Sequence, residues 1–250
     1  SRTSTRCAAS HAALAGAMAL GVAMACAPSP ALFLSDYKRL ANLLALPEAR
    51  ILRRENDPRA LLTEIRSDHL RVANGLSLTW RKEIPAADAL VLDADRAIFL
   101  PREAASLRRD FDYLGATLAA LPFELRPAGR ALICGTGESP SVLLAARREE
   151  GEAVWVERNP RIPEAVARRG LLPARVRTQI ESPRAFLERA PAEFDLIVFD
   201  STADGADALQ EESLLTIEGL YAALRALDSG GALAIALPAS NPPRHLRRLM

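Results

Sequence analysis

Three places in the chain combine residue types that can do chemistry with a context that gives them meaning. The apolar run ending at Cys134 leads into Gly135-Thr136-Gly137-Glu138-Ser139 and then into a helix-forming stretch. Glycines at a strand-to-helix turn let the backbone approach a ligand and present amides to it, although a tight turn wants glycine on conformational grounds anyway. Glu157 ends the next apolar run, Val154-Trp155-Val156. An acidic residue there can accept both hydroxyls of a nucleotide ribose; alternatively it is a solvated strand end. Asp200 ends Phe194 to Phe199, with Asp204 shortly beyond. A carboxylate at that edge can hold a cationic amine, or take its proton as nitrogen attacks an electrophilic carbon. The alternative is an aspartate capping the following turn.

These residues need a scaffold that brings strand ends together, and the patterning after Gly129 supplies one. Ala131 to Cys134, Ala153 to Val156, Val176 to Ile180, Leu196 to Phe199 and Ala232 to Leu237 are short continuous apolar runs, the signature of parallel strands buried on both faces. Ser139 to Arg148, Ile162 to Arg169, Pro183 to Arg189 and Glu212 to Leu227 read as the helices between them, the last ending at Ser229-Gly230-Gly231. The expected fold is α/β, a doubly wound, mostly parallel Rossmann-like sheet.

Earlier segments read differently. Ser35 to Leu46 predicts a helix with Ser35 as N-cap and Tyr37, Leu40, Leu43 and Leu44 on one face. From Ala49 to Leu100, apolar runs (Ala60 to Ile65, Leu70 to Ala73, Leu76 to Trp80, Ala89 to Leu92) are divided by Asn56-Asp57-Pro58, Asn74-Gly75 and Asp93-Ala94-Asp95, which predicts hairpins of a small antiparallel β-domain. Glu103 to Leu121 predicts one helix with Leu107, Phe111, Leu114, Leu118 and Leu121 on a single face. The expected organisation is an apolar leader or membrane segment over 1–34, a linker helix and β-domain over 35–102, and a nucleotide-binding domain over 103–250.

Composition narrows the function classes. A formal net charge of +1 offers no field to steer the chain to nucleic acid, so nucleic acid is not an expected partner. Cys7, Cys26 and Cys134 lack the paired spacing of a zinc or redox site; no metal is expected, and Cys134 reads as a buried packing residue. His11, His69 and His245 share no partner pattern, Trp80 and Trp155 read as packing residues, and Arg147-Arg148, Arg168-Arg169 and Arg247-Arg248 as solvated helix faces. Residues 12 to 34 are alanine-rich and uncharged, interrupted by Pro28 and Pro30. They admit a secretory signal, a weak membrane helix or a loose leader, and membrane association with a cytoplasmic α/β domain is favoured over a soluble cytoplasmic protein. Because the chain starts at Ser1 and stops after a fifth strand, a piece of a longer protein is expected.

The motifs in order resemble the spermidine synthase family. Arg130 to Ser139 resembles its strand and Gly-Gly-Gly-Asp-Gly loop, with Gly135 and Gly137 retained and Glu138 at the acidic position. Asp195 to Thr202 resembles its strand ending in Asp-Ser-Thr-Asp. Leu215 to Tyr221 resembles its Phe-Thr-x-Glu-Phe-Tyr helix, and Asp228 to Leu237 its Pro-Gly-Gly turn and fifth strand. The resemblance implies decarboxylated S-adenosylmethionine, or S-adenosylmethionine itself, as co-substrate. Gly135, Thr136 and Gly137 would shape its loop, Glu138 lie near the donor's amine end, Glu157 hold the ribose and Ser182 lie at the adenine. It also implies a small amine or polyamine acceptor oriented and deprotonated by Asp200 and Asp204, a homodimer, and, through membrane-fused relatives, a reason for the apolar leader.

The departures bear on activity. The second aspartate of Asp-Ser-Thr-Asp is Ala203, with Asp204 displaced by one residue; the adenine-contacting Gly-Asp corresponds to Glu181-Ser182; the Tyr-His-Glu segment corresponds to Phe111-Asp112-Tyr113. A polyamine pocket must replace the water around several ammonium groups with carboxylates, and these changes deplete it. The expected activity is aminopropyl transfer to an amine. A methyltransferase and a non-catalytic scaffold or sensor domain of a membrane protein are the alternatives.

Overall fold

The computed structural model describes residue 18 and residues 34–126, 129–137, 140–200 and 213–236. From residue 35 on these build two sheets. The first is an antiparallel meander, β1 (Arg50–Asp57), β2 (Ala60–Arg66), β3 (Asp88–Leu92) and β4 (Arg96–Leu100), in that spatial order. The turn at Asn56-Asp57-Pro58 and that at Asp93-Ala94-Asp95 close two of its hairpins as expected. β1 carries no long apolar run; it is a largely exposed edge strand held by backbone pairing to β2, which periodicity does not reveal.

Two of the expected β-runs do not pair as strands. Leu70 to Ala73 is irregular, and Leu76 to Trp80 holds a turn at Leu78-Thr79, with Leu76 making one isolated bridge to Thr117. That bridge also divides the expected Glu103–Leu121 helix. α2 (Ala104–Arg109) gives way to 3₁₀ turns at Asp112–Ala116 and Leu118–Ala120, then α3 (Leu121–Leu125). Thr117 is extended, its hydroxyl donates to the Leu114 carbonyl at 2.7 Å, and the Leu118 amide donates to Gly75 at 2.9 Å. Leu107, Phe111 and Leu114 are buried as the period predicts, whereas Leu118 and Leu121 are exposed. The helix before β1 is also shorter than expected. α1 runs Arg39–Leu44 with Lys38 as N-cap; Leu40 and Leu43 are buried, while Tyr37 stands 95% exposed.

The second sheet is parallel, in the order β7-β6-β5-β8-β9, from β5 (Ala131–Cys134), β6 (Ala153–Glu157), β7 (Val176–Ile180), β8 (Phe194–Phe199) and β9 (Leu227–Ile235). α4 (Ser141–Arg147), α5 (Arg161–Ala167), α6 (Pro183–Arg189) and α7 (Ile217–Ala226) connect them. α7 stops sooner than expected, and Ser229-Gly230-Gly231 lies inside β9, because the strand begins at Leu227 and reaches its ladder beside Leu196 only after an irregularity. β5, β6 and β8 are buried on both faces: Ala131 and Ile133 face the core shared with the antiparallel sheet, and Leu132 and Cys134 the one under α6 and α7. β7 is a sheet edge, so Arg177, Gln179 and Ile180 meet solvent despite the apolar reading of that run. A doubly wound α/β sheet preceded by a small antiparallel sheet is therefore the observed fold class.

Two of the three arginine pairs expected on solvated faces do structural work instead. Arg168 and Arg169, just past α5, reach the antiparallel sheet, where Glu64 accepts from both, at 2.7 Å from Arg169, and the fully buried Asp88 lies 3.5 Å from Arg169. Arg66 holds Asp88 through two bonds of 2.8 and 2.7 Å. Arg147 bonds the Phe111 carbonyl and Asp112, and Arg148 the Gly129 carbonyl. The guanidinium fork suits such bidentate, partly dry contacts. Arg247 and Arg248 lie outside the described residues.

Among the described residues no helix is long and apolar enough to cross a membrane. The stretch 12–34 lies outside them except for Met18 and Leu34.

Candidate functional site

β5 is the switch point of the parallel sheet: the chain leaves it toward β6 on one side and returns as β8 on the other. Ligands of such folds bind beyond the carboxyl ends of the strands at that point, and the sequence-selected residues gather there. The Gly135 amide donates to Val156 of β6 at 2.8 Å, and the Asp200 amide donates to Cys134 of β5 at 3.1 Å. Gly135 has φ +78°, a left-handed conformation that suits glycine. Its carbonyl accepts from the indole of Trp155 at 3.0 Å, so this buried tryptophan packs the core and also holds the loop.

Gly137 is required for a different reason. A methyl group there would stand 1.8 Å from the Asp200 carbonyl oxygen and 3.2 Å from its carboxylate Oδ1. The loop after β5 and the end of β8 thus lie backbone against backbone, and the Asp200 side chain, 2% exposed, stands beside Gly137.

Glu157 ends β6 with its carboxylate 7% exposed and both oxygens engaged. The Thr136 hydroxyl donates to Oε2 at 2.5 Å and the Asn159 amide to Oε1 at 2.8 Å. Burial raises the Glu157 pKa, against the opposing pull of the Asn159 amide, the Thr136 hydroxyl and the charge of Arg96. Arg96 belongs to β4, so the antiparallel sheet contributes to the electrostatics of the parallel sheet's edge. The solvated strand end considered from sequence is thereby corrected: this acid is dry, and a carboxylate buried at a net cost is a signature of functional sites.

Sequence reading missed Asn159, whose amide holds Glu157 while its side-chain oxygen accepts from the Arg161 amide at 3.0 Å, starting α5. An Asn-Pro pair ahead of a helix was a legible signal for it. Arg96 could not have been found, because only the packing of the two sheets brings it near.

Other expected residues are elsewhere or undescribed. Ser182 sits at the start of α6 without a side-chain cap bond, its carbonyl accepting from Phe186 at 3.0 Å. Glu181 donates its amide to the Glu157 carbonyl at 3.2 Å and pairs its carboxylate with Arg189. Asp112 is exposed and paired with Arg147 at 2.9 Å and Lys82 at 3.9 Å. Cys134 is fully buried, and burial pushes its thiol pKa up. His69 is exposed. Glu138 and Asp204 lie outside the described residues, as do His11 and His245.

No protein-family profile matches the chain, and no curated protein does. Solved structures do match. Spermidine synthase from Thermotoga maritima superposes with a TM-score of 0.53 at 16% identity, over 80% of this chain and 60% of that one. A spermidine synthase in complex with the transition-state analogue AdoDATO gives 0.52 at 17% identity, over 74% and 56%. The fold is that of the spermidine synthases. The chain spans about 60% of the length of the first of these proteins, and the likeness is one of fold: an antiparallel sheet preceding a Rossmann-like sheet of methyltransferase type.

Proposed function

We propose that the chain binds a nucleoside of the S-adenosylmethionine type and transfers an alkyl group from its sulfonium to an amine, with the decarboxylated form as donor and an aminopropyl group transferred. The observation that carries this reading is the convergence of three backbone-anchored groups at one switch point: the Gly135–Gly137 loop, the dry Glu157 carboxylate held by Thr136 and Asn159, and Asp200 pressed against Gly137. Each suits one part of such a donor. Glu157 retains lone pairs for ribose hydroxyls, the loop admits the chain of the nucleoside close to its backbone, and Asp200 stands beside Gly137 at the end of β8. The two-sheet architecture and the order of motifs from Ala49 to Leu237 support the aminopropyl form of the reaction.

In the transfer itself, the acceptor nitrogen attacks the carbon bonded to the positively charged sulfur. The new C–N bond forms as the C–S bond breaks, its electrons go to sulfur, and a neutral thioether leaves. The surplus proton on nitrogen passes to a carboxylate, a role we assign to Asp200, with Asp204 as a second acid. Glu138 would lie near the donor's amine, where the carboxylate of the intact cofactor would be repelled. Calorimetric titration with both forms of the nucleoside tests the assignment. Tighter binding of the decarboxylated form is expected, preference for the intact form would favour methyl transfer, and binding of neither would leave a scaffold without catalytic function.

A further inference from the structure

A cavity of about 500 Å³ opens where α1, the connection from β2 to β3, and β4 come together, and it has the size of a small-molecule site. Its floor is apolar: Leu43 of α1 and Leu70 of the connection are buried, and Phe99 of β4 is half-buried. Arg39, His69 and Arg71 stand around that floor. Asp95 also lines it, but its carboxylate is already paired with Lys38 at 2.8 Å.

Arg71 presents an open edge. Its Nη1 donates to the Ile84 carbonyl at 2.6 Å and pairs with Glu83 at 2.8 Å, while among the described residues its Nε and Nη2 make no bond. That Nε–Nη2 edge is the one through which Arg66 donates to both oxygens of Asp88, at 2.8 and 2.7 Å, so it is shaped for a carboxylate. The Glu83 side chain is 80% exposed, where an ion pair is screened and weak, and Arg71 keeps most of its pull on a second anion. The exposed His69 ring, without a hydrogen bond among the described residues, adds a donor to the same cavity. An ammonium group would meet the like charges of Arg39 and Arg71, and a carboxylate without an apolar body would leave the floor uncovered.

We propose that this cavity binds an organic anion, an alkyl or aryl body ending in a carboxylate. The carboxylate accepts from the Nε–Nη2 edge of Arg71, and the body lies on Leu43, Leu70 and Phe99, where it buries apolar surface. None of these residues is among those assigned to the nucleoside, so the site stands or falls apart from the transfer reading. The test is calorimetric or ligand-observed NMR titration of the full chain with octanoate, acetate and octylamine. Octanoate is expected to saturate one site and to bind at least about tenfold more tightly than acetate, which lacks the body, or octylamine, which reverses the charge. Arg71→Gln should weaken octanoate by about tenfold or more, the effect of losing a charge-assisted hydrogen bond. Glu83→Gln, which lies outside the cavity and removes the competing anion, should tighten octanoate by up to about fivefold. Circular dichroism checks that each variant folds, and Glu83→Gln decides alone if Arg71→Gln does not. Absence of saturable octanoate binding, acetate or octylamine binding as tightly, or an octanoate affinity that neither substitution moves overturns the proposal.

Discussion

The Gly137 and Glu157 positions show at the scale of one residue what the site demands. A methyl at position 137 would overlap the Asp200 carbonyl, and neither partner can yield, since one is loop backbone and the other the end of a central strand. Gly137→Ala should therefore lower the thermal midpoint and abolish nucleoside binding. Gly115→Ala is the control: nothing lies within 4 Å of the added methyl, and its stability change should stay within about 0.5 kcal/mol. An unchanged midpoint in the Gly137 variant would mean that the loop and Asp200 are not in contact.

Glu157 couples stability and function in opposite directions. Its pKa is raised in the folded state, chiefly by burial, so the folded chain binds the proton more tightly than the unfolded one. Ionisation then costs stability: the cost is absent well below the ordinary carboxylate range, grows as pH rises through the raised folded value, and is complete above it. Glutamine can keep the bond from the Asn159 amide, and the Thr136 hydroxyl can turn to accept from the new amide. Glu157→Gln should thus become more stable relative to the parent as pH rises through that window, while losing roughly 1 to 3 kcal/mol of nucleoside affinity. Thermal melts from acid to neutral pH and a titration at neutral pH check the two halves; a variant less stable at neutral pH would mean that the carboxylate is a structural anchor.

Among the elements, α5 carries the least obvious burden. Asn159, two residues before it, holds Glu157 and accepts from the helix's first amide, and the arginines just past its end, Arg168 and Arg169, are clamped by Glu64 of β2. Arg169 and Glu64 are nearly dry, with side-chain exposures of 8% and 10%. Removing one member of a buried cluster leaves uncompensated charge, so Glu64→Ala should cost about 3 kcal/mol in chemical denaturation. The exposed pair Arg177–Glu152 is the comparison, and truncating Glu152 should leave the midpoint unchanged. Equal effects would show that burial is not what gives the Glu64 cluster its strength.

For residues 35 onward as a whole, one apolar cluster runs from β2 and β3 through Phe111 and Tyr113 to Ile133, Trp155 and Val198. A shared core together with the Glu64–Asp88–arginine cluster ties the two sheets together, and a single unfolding transition is the expected outcome. Trp80 lies in the connection between β2 and β3 and Trp155 in β6, so the two indoles sit in chain segments belonging to different sheets. In Trp80→Phe and Trp155→Phe variants, the fluorescence transition of the remaining tryptophan should coincide with loss of secondary structure by circular dichroism. Separated transitions would show two independently folding parts.

The sequence by itself determined the parallel sheet and the strand ends that carry chemistry, because strands buried on both faces must be continuously apolar and their ends must leave that pattern. Ala131 to Cys134 coincides with an observed strand for this reason, and Gly135, Glu157 and Asp200 were found as the first residues beyond apolar runs. What depends on contacts between distant segments was not legible. A single Leu76–Thr117 bridge broke a helix that local periodicity favours. Exposed β1 is held by its ladder to β2 and by Glu55, which lies within 4.0 Å of Arg161 and 3.9 Å of Arg168. Arg169 and Asp88, remote in the chain, are neighbours only because the two sheets share a core. The dryness of Glu157 and the approach of Arg96 are likewise tertiary facts, since burial and Coulombic interaction depend on three-dimensional distance, and local sequence records only what each residue could do once placed.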